Sequence, residues 1–308
     1  MQLSIVIVNY RTPELTLCCV ERVVATIDET KDYEIIVVDN HSEDNSEVLI
    51  CSKFPQVIWI NNPTNEGFGR ANNLGLAQAK GEYVLFLNSD MVLLPNTVGE
   101  CIKQIKTDNS IGVLGCTLLN EDGTVQKSTY QYISEYLGII EKNLVFDYFI
   151  KKGPVKIQGL MGSFLLVPKS VLDIVGGFDP EFFMYSEEME LCYRIAKAGY
   201  KIEYFDKVQA IHKNGASSNK DWALKQNLLS NALLFYKIRG FVGYLVYHIL
   251  FLINTLTNFF VMWKIGTGYR KHYFNLQKAY FSNFMYYWII PLFYSRSGKH
   301  VKRQLKRN

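Results

Sequence analysis

The chain has 308 residues, 48% of them hydrophobic, and a formal net charge of +4. That content excludes a disordered chain, and the length accommodates one large α/β domain with an appendage. The charge is unevenly placed: no Asp or Glu follows Asp221, so residues 222–308 carry thirteen Lys and Arg while the rest carries −9, a split that marks an ordinary soluble surface and an anionic partner.

Six cysteines (Cys18, Cys19, Cys51, Cys101, Cys116, Cys192) show no CxxC spacing and read as reduced, mostly core residues. The chain opens on a strand, Leu3 to Val8, without a basic start or long apolar run, and both features point to the cytoplasm. Short apolar runs then alternate with helical patterns. LSIVIV at 3–8, EIIVVD at 34–39, VIWI at 57–60 and YVLFLN at 83–88 predict buried strands of a parallel sheet. Phe68, Ala71, Leu74 and Gln78, flanked by Gly75 and Ala79, predict a helix. Ligands of such sheets bind beyond the carboxyl ends of the strands, which singles out Asn9 and Tyr10, Asp39 and Asn40, Asn61 and Asn62, and Asn88 to Asp90. The stretch Asn65 to Asn73 lacks the third glycine of a dinucleotide fingerprint. Arg70 there reads instead as an anion or base contact beside helix N-terminal amides.

A less regular region, about 110–160, contains Asn120-Glu121-Asp122-Gly123, a hairpin turn in which Asp-Gly supplies positive φ. Residues 162–205 then predict a strand, a short helix, an aromatic loop, a helix and another strand. Met189, Cys192, Tyr193 and Ala196 define the inner face of that second helix, and Gly199 ends it. Beyond residue 222 long aromatic-rich helices follow. Phe241 to Trp263 has 23 positions without a charge, enough to cross a bilayer, but His248, Asn254, Thr255, Thr257 and Asn258 interrupt it. A second apolar piece, Tyr280 to Tyr294, is broken by Pro291. With Tyr and Trp abundant and a basic end, KHVKRQLKRN, this region reads as interfacial helices on an anionic membrane surface. The plainer alternative is a helical subdomain packed on the core with a solvated tail.

Three groups can carry chemistry. Asp90, just past the strand YVLFL, can hold a divalent cation that bridges two phosphates, although Asp after a strand is often only a turn residue. Glu187, Glu188 and Glu190 open a helix. Glu190 lies one turn from Arg194 and reads as an ion pair, and Glu187 and Glu188 suit a helix N-terminus. Glu188 also shares a face with Cys192, so it points inward, where a carboxylate needs a partner or a task. His212, ending a strand from about Lys201, arrives at the same sheet edge as Asp90, and an imidazole with a carboxylate suits Mn²⁺ or Mg²⁺.

VIVNYR, IIVVDNHSEDNS, NEGFGRANNLGL, GEYVLFLNSD, GSFLLVPKSV, GGFDPEFFMYSEEMELCYR and AIHKNGAS, in this order over about residues 2–217, resemble the family 2 glycosyltransferases of the GT-A fold, especially bacterial rhamnosyltransferase-like members. The resemblance implies an α/β fold, a Rossmann-like mixed sheet flanked by helices, as a GT-A catalytic domain over 1–221, with a helical membrane-associating extension over 222–308. It implies an inverting, metal-dependent enzyme using Mn²⁺ or Mg²⁺, with Tyr10, Asp39 and Arg70 at the nucleobase and Asn88 and Asp90 as the ends of the DxD motif. His212 matches a further metal ligand, Glu188 the general base, and Glu187 its companion carboxylate. Two departures stand out: Asn88 replaces the usual first Asp, and Glu188 stands where Asp is commoner.

The implied donor is a nucleotide-diphospho-sugar, dTDP-rhamnose ahead of UDP-linked galactofuranose, glucose or N-acetylglucosamine. The implied acceptor is lipid-linked or a cell-surface polysaccharide, at the cytoplasmic face of the membrane, and a homo-oligomer is left open. Of the competing classes, a sugar nucleotidyltransferase should show a Gly-rich loop where NYRTPE stands. A decayed, non-catalytic scaffold would tolerate loss of Asp90, Glu188 and His212, all present. A nucleic-acid binder fits poorly, because the C-terminal charge is interleaved with apolar runs.

Overall fold

The computed structural model describes residues 1–27, 32–131, 157–213, 220–261 and 267–282. The middle region at 132–156, the end of the AIHKNGAS segment, most of Tyr280 to Tyr294 and the basic end KHVKRQLKRN lie outside the described residues. Contacts divide the chain into two compact units. The first comprises Met1–Tyr130, Ile157–Asp179 and Glu188–Ser218, and the second includes Pro180–Glu187 and the helices after Asn219.

In the first unit, β1 (Leu3–Asn9), β2 (Tyr33–Asp39), β3 (Ile58–Asn61) and β4 (Tyr83–Asn88) form the expected parallel set. Their β-branched runs bury both faces, except that β3, at the sheet edge, is half-buried. The sheet continues with β5 (Met91–Leu93), β6 (Ile111–Leu119), β10 (Phe164–Pro168) and β11 (Lys201–His212) in the order β3-β2-β1-β4-β10-β6-β11-β5. It is mixed, because β10 runs antiparallel to both β4 and β6. The predicted hairpin joins β6 to β7 (Val125–Gln126), with Gly123 at φ 80° in the turn. Strands β8 (Thr129–Gln131) and β9 (Ile157–Leu160) pair separately.

Helices cover both faces. α1 (Pro13–Thr26), α2 (Ser46–Lys53) and α4 (Thr97–Ile105) lend Val20, Ile50 and Ile102 to one core layer. α3 (Phe68–Gln78), α5 (Lys169–Val175) and α6 (Glu187–Lys197) lend Ala71, Leu172 and Ile195 to the other. The helix predicted around Phe68 is present, with Ala71 in the core layer, Phe68 and Leu74 packed against it, and the small residues most deeply buried. Gly69, Ala71, Asn72 and Gly75 are buried, while Gln78 is exposed. The cause is a close approach to the sheet: a Cβ on Gly75 would lie 2.3 Å from Val6 Cγ1.

In the second unit, α7 (Lys220–Val261) is broken at Gly240, whose φ of 71° and ψ of −167° separate two helices. α8 (Thr267–Ser282) packs on the latter half, where Tyr280 stacks on Phe251 at 4.4 Å and Tyr280 Oη meets His248 Nδ1 at 2.7 Å. The first half of α7 holds the 180–187 segment. Ser230 Oγ donates to Met184 O at 2.7 Å, Ser186 Oγ donates to Asn231 Oδ1 at 2.9 Å, and Lys237 pairs with Glu181 in a buried setting. Tyr185 and Ser186, held there at φ 70° and 68°, lead directly into α6.

Candidate active site

The parallel register carries polar residues to one edge of the first unit. Asn9 pairs with Asp39 and Asp39 with Asn61, while Val8 pairs with Asn88. Asp39 is 8% exposed and is held by Asn9 Nδ2 at 2.7 Å and by the amide of Ser42 at 3.0 Å, one donor to each carboxylate oxygen. Asn9 is itself oriented, because its Oδ1 accepts from Thr16 at 2.7 Å and Thr12 at 3.2 Å. A carboxylate has about four acceptor sites, so Asp39 retains capacity for an N–H donor such as a nucleobase imide. Asn40 extends the network. It accepts from Asn62 Nδ2 at 2.9 Å and donates to Asn65 at 2.9 Å, fixing the loop that begins α3.

Tyr10 and Arg11 follow β1. Tyr10 is half-buried, and the Arg11 guanidinium lies 5.3 Å from its ring centroid. Arg11, His41 and Glu43 all adopt positive φ, so both loops at this edge hold conformations that few side chains favour. Arg70 stands in the first turn of α3, a third exposed, with Nη1 3.4 Å from Glu66 Oε1.

At the other end of the row, Asp90 and His212 meet. The register shift in β11 between Phe205 and Gln209 brings His212 opposite Met91 of β5. His212 Nε2 lies 3.3 Å from Asp90 Oδ1, yet that oxygen, buried, has no hydrogen-bond partner among the described residues. The ring's other nitrogen, Nδ1, is 2.7 Å from Gln126 Oε1. Asn88 Oδ1 and Ser163 Oγ are likewise buried without a partner among the described residues. An orphaned carboxylate oxygen beside an imidazole fits a divalent cation. Among the described residues no third His, Cys, Asp or Glu joins them, so phosphate oxygens and water would complete the coordination.

Glu188, in the first turn of α6, is 8% exposed. A Cβ on Gly162 would lie 3.3 Å from Glu188 Cβ, and the next residue, Ser163, accepts the Asn88 amide at 3.0 Å. Gly162 and Ser163 thus connect Glu188 to the Asn88 end of β4. Glu190 makes the ion pair expected of it: Arg194 Nη2 is 2.7 Å from Oε2, and the same guanidinium donates to the carbonyl of Gly177 at 2.7 Å. Glu187, the first residue of α6, is 3% exposed and groups with the second unit. The cysteines are unpaired thiols. Burial pushes Cys192 and Cys116 up to about 12, and burial, then the charge of Asp90, raises Cys19.

Sequence reasoning found Asp39, Asp90 and His212 as strand-end polar residues but missed Gln126, Ser163 and Gly162. A lone Gln after a hairpin and a Gly-Ser pair before a strand carry no pattern that marks them.

Residues 4–175 match the family model described as Glycosyl transferase family 2. The chain is 27% identical over 216 residues to the N-acetylglucosaminyl-diphospho-decaprenol L-rhamnosyltransferase of Mycobacterium tuberculosis, over 62% of this chain and 70% of that protein. It is 29% identical over 203 residues to the rhamnosyltransferase WbbL of Escherichia coli, over 60% of this chain and 74% of that protein. Among solved structures, the mannosyltransferase PcManGT from Pyrobaculum calidifontis, in complex with GDP-Man and Mn²⁺, superposes with a TM-score of 0.61 at 14% identity. That match covers 92% of this chain and 87% of that one, and it shows a shared fold.

Proposed function

Because this chain belongs to glycosyl transferase family 2 and has the GT-A fold, we propose that it is an inverting, metal-dependent transferase. It moves L-rhamnose from dTDP-rhamnose to a lipid-linked or cell-surface polysaccharide acceptor. The observation that carries the reading is the row at the strand ends, with Asp39 at one end and, at the other, His212 beside an Asp90 oxygen that has no hydrogen-bond partner among the described residues. The sugar is weighted by the rhamnosyltransferases among the relatives. A UDP-sugar donor is the alternative, since Asp39 can accept from the imide of uracil as readily as from that of thymine.

In this reading Tyr10, Asp39 and Arg70 bind the base, and Asn88 offers its buried side-chain carbonyl oxygen to a donor hydroxyl. Asp90 and His212 hold Mn²⁺ or Mg²⁺, which when bound offsets charge on the leaving diphosphate. Glu188, with Glu187 as its companion, takes the proton from the acceptor hydroxyl as that oxygen attacks the anomeric carbon from the face opposite the diphosphate. The bond to the diphosphate breaks as the new glycosidic bond forms, which inverts the anomeric centre.

In this reading the enzyme acts at the cytoplasmic face of the membrane, where a lipid-linked acceptor would be met. Support comes from the second unit, where Val242, Ile249, Ile253 and Leu256 are exposed at spacings of seven, four and three along one helix. Phe274 and Phe281, seven apart on α8, are exposed as well. The helix Trp222–Thr257 contains an 18-residue window of mean hydropathy 1.5 and is long and apolar enough to cross a bilayer, but the break at Gly240 favours helices lying in the interface.

The test is Glu188→Gln. It should keep nucleotide-sugar affinity within about twofold and lose roughly 10²–10⁴-fold in transfer to a lipid-linked acceptor, the range general base catalysis supplies. Retained turnover would contradict the assignment.

A further inference from the structure

We propose that Gln126 is a positioning residue that holds His212 as the Nδ1–H tautomer and so keeps Nε2 bare for the divalent cation beside Asp90. The inference rests on the metal-dependent reading above and extends it to the β6–β7 hairpin.

The argument is one of hydrogen-bond polarity. His212 Nδ1 and Gln126 Oε1 are 2.7 Å apart in a buried setting. Gln126 Nε2 donates to Asn120 Oδ1 at 3.1 Å, Asn120 Nδ2 donates to Thr124 Oγ1 at 2.9 Å, and Thr124 Oγ1 donates to Asp122 Oδ1 at 2.6 Å. Both amides could in principle be turned over, which would reverse every step and present an N–H to Nδ1. The two ends of the chain decide between the directions. At the outer end the acceptor is a carboxylate, which accepts only. It also takes the Thr124 amide at 2.9 Å, and these two bonds hold Asp122 below the usual carboxylate range. The Thr124 hydroxyl therefore spends its proton on Asp122 and must accept from Asn120. At the inner end, the reversed direction would put a proton on Nε2, which should then donate to Asp90 Oδ1. The two atoms are 3.3 Å apart, and Asp90 Oδ1 has no hydrogen-bond partner among the described residues. The outer end sets the direction, with Nδ1 protonated, and the poor geometry at the inner end agrees with it, so in the neutral ring Nε2 is a lone pair facing a lone pair. Two acceptors so placed repel unless a cation joins them, which is what a ligand pair requires.

Gln126 sits on a two-residue strand whose other member, Val125, is 68% exposed. Its burial, at 8% exposure, and its registration opposite Leu118 come from the hairpin. The hairpin is therefore part of the metal site although it supplies no ligand.

Two measurements test this on the 308-residue chain. Nitrogen-15 resonances of the His212 ring in metal-free protein report the tautomer directly, and Mn²⁺ titration followed by electron paramagnetic resonance, with a nucleoside diphosphate present, reports affinity. The unaltered protein should show protonated Nδ1 and bare Nε2. Gln126→Leu should lose that preference and weaken Mn²⁺ binding roughly 10–100-fold, the usual effect of losing a partner that orients a metal ligand. Gln126→Glu, which still accepts from Nδ1, should recover most of it. A bare Nδ1 in the unaltered protein, or a Gln126→Leu protein that folds and keeps its Mn²⁺ affinity within twofold, overturns the proposal. If no Mn²⁺ binds to the unaltered protein, the metal reading beneath it fails instead, and the tautomer measurement tells the two failures apart.

Discussion

At Asp39 each carboxylate oxygen has one protein donor, and the stronger of these, Asn9, is fully buried and held in turn by Thr12 and Thr16. Asn9→Leu strips a donor from Asp39 and an acceptor from two threonines. It should destabilise the fold by about 1–3 kcal/mol in a urea titration, with nucleotide affinity falling in parallel; an unchanged midpoint would mean Asp39 is held by other groups. Much of this scale was legible in the sequence. Residues ending apolar strands are the ones a parallel sheet lines up, so Asn9, Asp39, Asn88 and Asp90 could be placed on one edge from spacing alone. His212 was legible as the end of a strand at the same edge, although the pairing of β11 with β5 that brings it to Asp90 was not. Gln126 and Ser163 act through contacts across more than 70 residues of chain, and Gly162 meets Glu188 from a different element; local pattern cannot carry such information.

Among the elements, α3 shows how close packing adds a demand that periodicity does not carry. Phe68, Ala71 and Leu74 face the core as their spacing requires, but helix and sheet come so close at Gly75 that a side chain there would meet Val6. Gly75→Ala would place a methyl against fully buried Val6 with nowhere to turn. Despite alanine's better helix propensity, this substitution should lower stability by about 1–3 kcal/mol. A thermal midpoint equal to or above that of the unaltered protein would show that α3 can move off the sheet. Element types and order were readable over most of the first unit because buried strands and amphipathic helices differ so clearly in period. The antiparallel insertion of β10 was not, since the run Phe164 to Pro168 looks the same in either direction.

For the whole molecule, the split of charge after Asp221 and the exposed apolar row on α7 both support the proposed membrane association: one would draw the chain to an anionic surface, the other would hold it there. The protein should co-sediment with vesicles containing anionic lipid, less so as salt rises. Replacing both Ile253 and Leu256 with Glu should reduce that binding at least tenfold, as losing about 1.5–3 kcal/mol for each inserted side chain predicts. Unchanged binding would assign the row to protein contacts. The association with segment 180–187, which joins the helical unit although it precedes residue 222, depends on tertiary contacts such as Ser230 to Met184 that no compositional boundary reveals. The most direct test of the central claim is thermal unfolding with dTDP-rhamnose and a panel of UDP-sugars, with and without Mn²⁺, for the unaltered protein and for Asp90→Asn. A ligand bound at a hundredfold its dissociation constant adds about 2.7 kcal/mol, so one nucleotide sugar should raise the midpoint by several degrees only when Mn²⁺ is present, and Asp90→Asn should abolish that increment. Stabilisation that is the same without metal, or that survives in Asp90→Asn, would contradict the account.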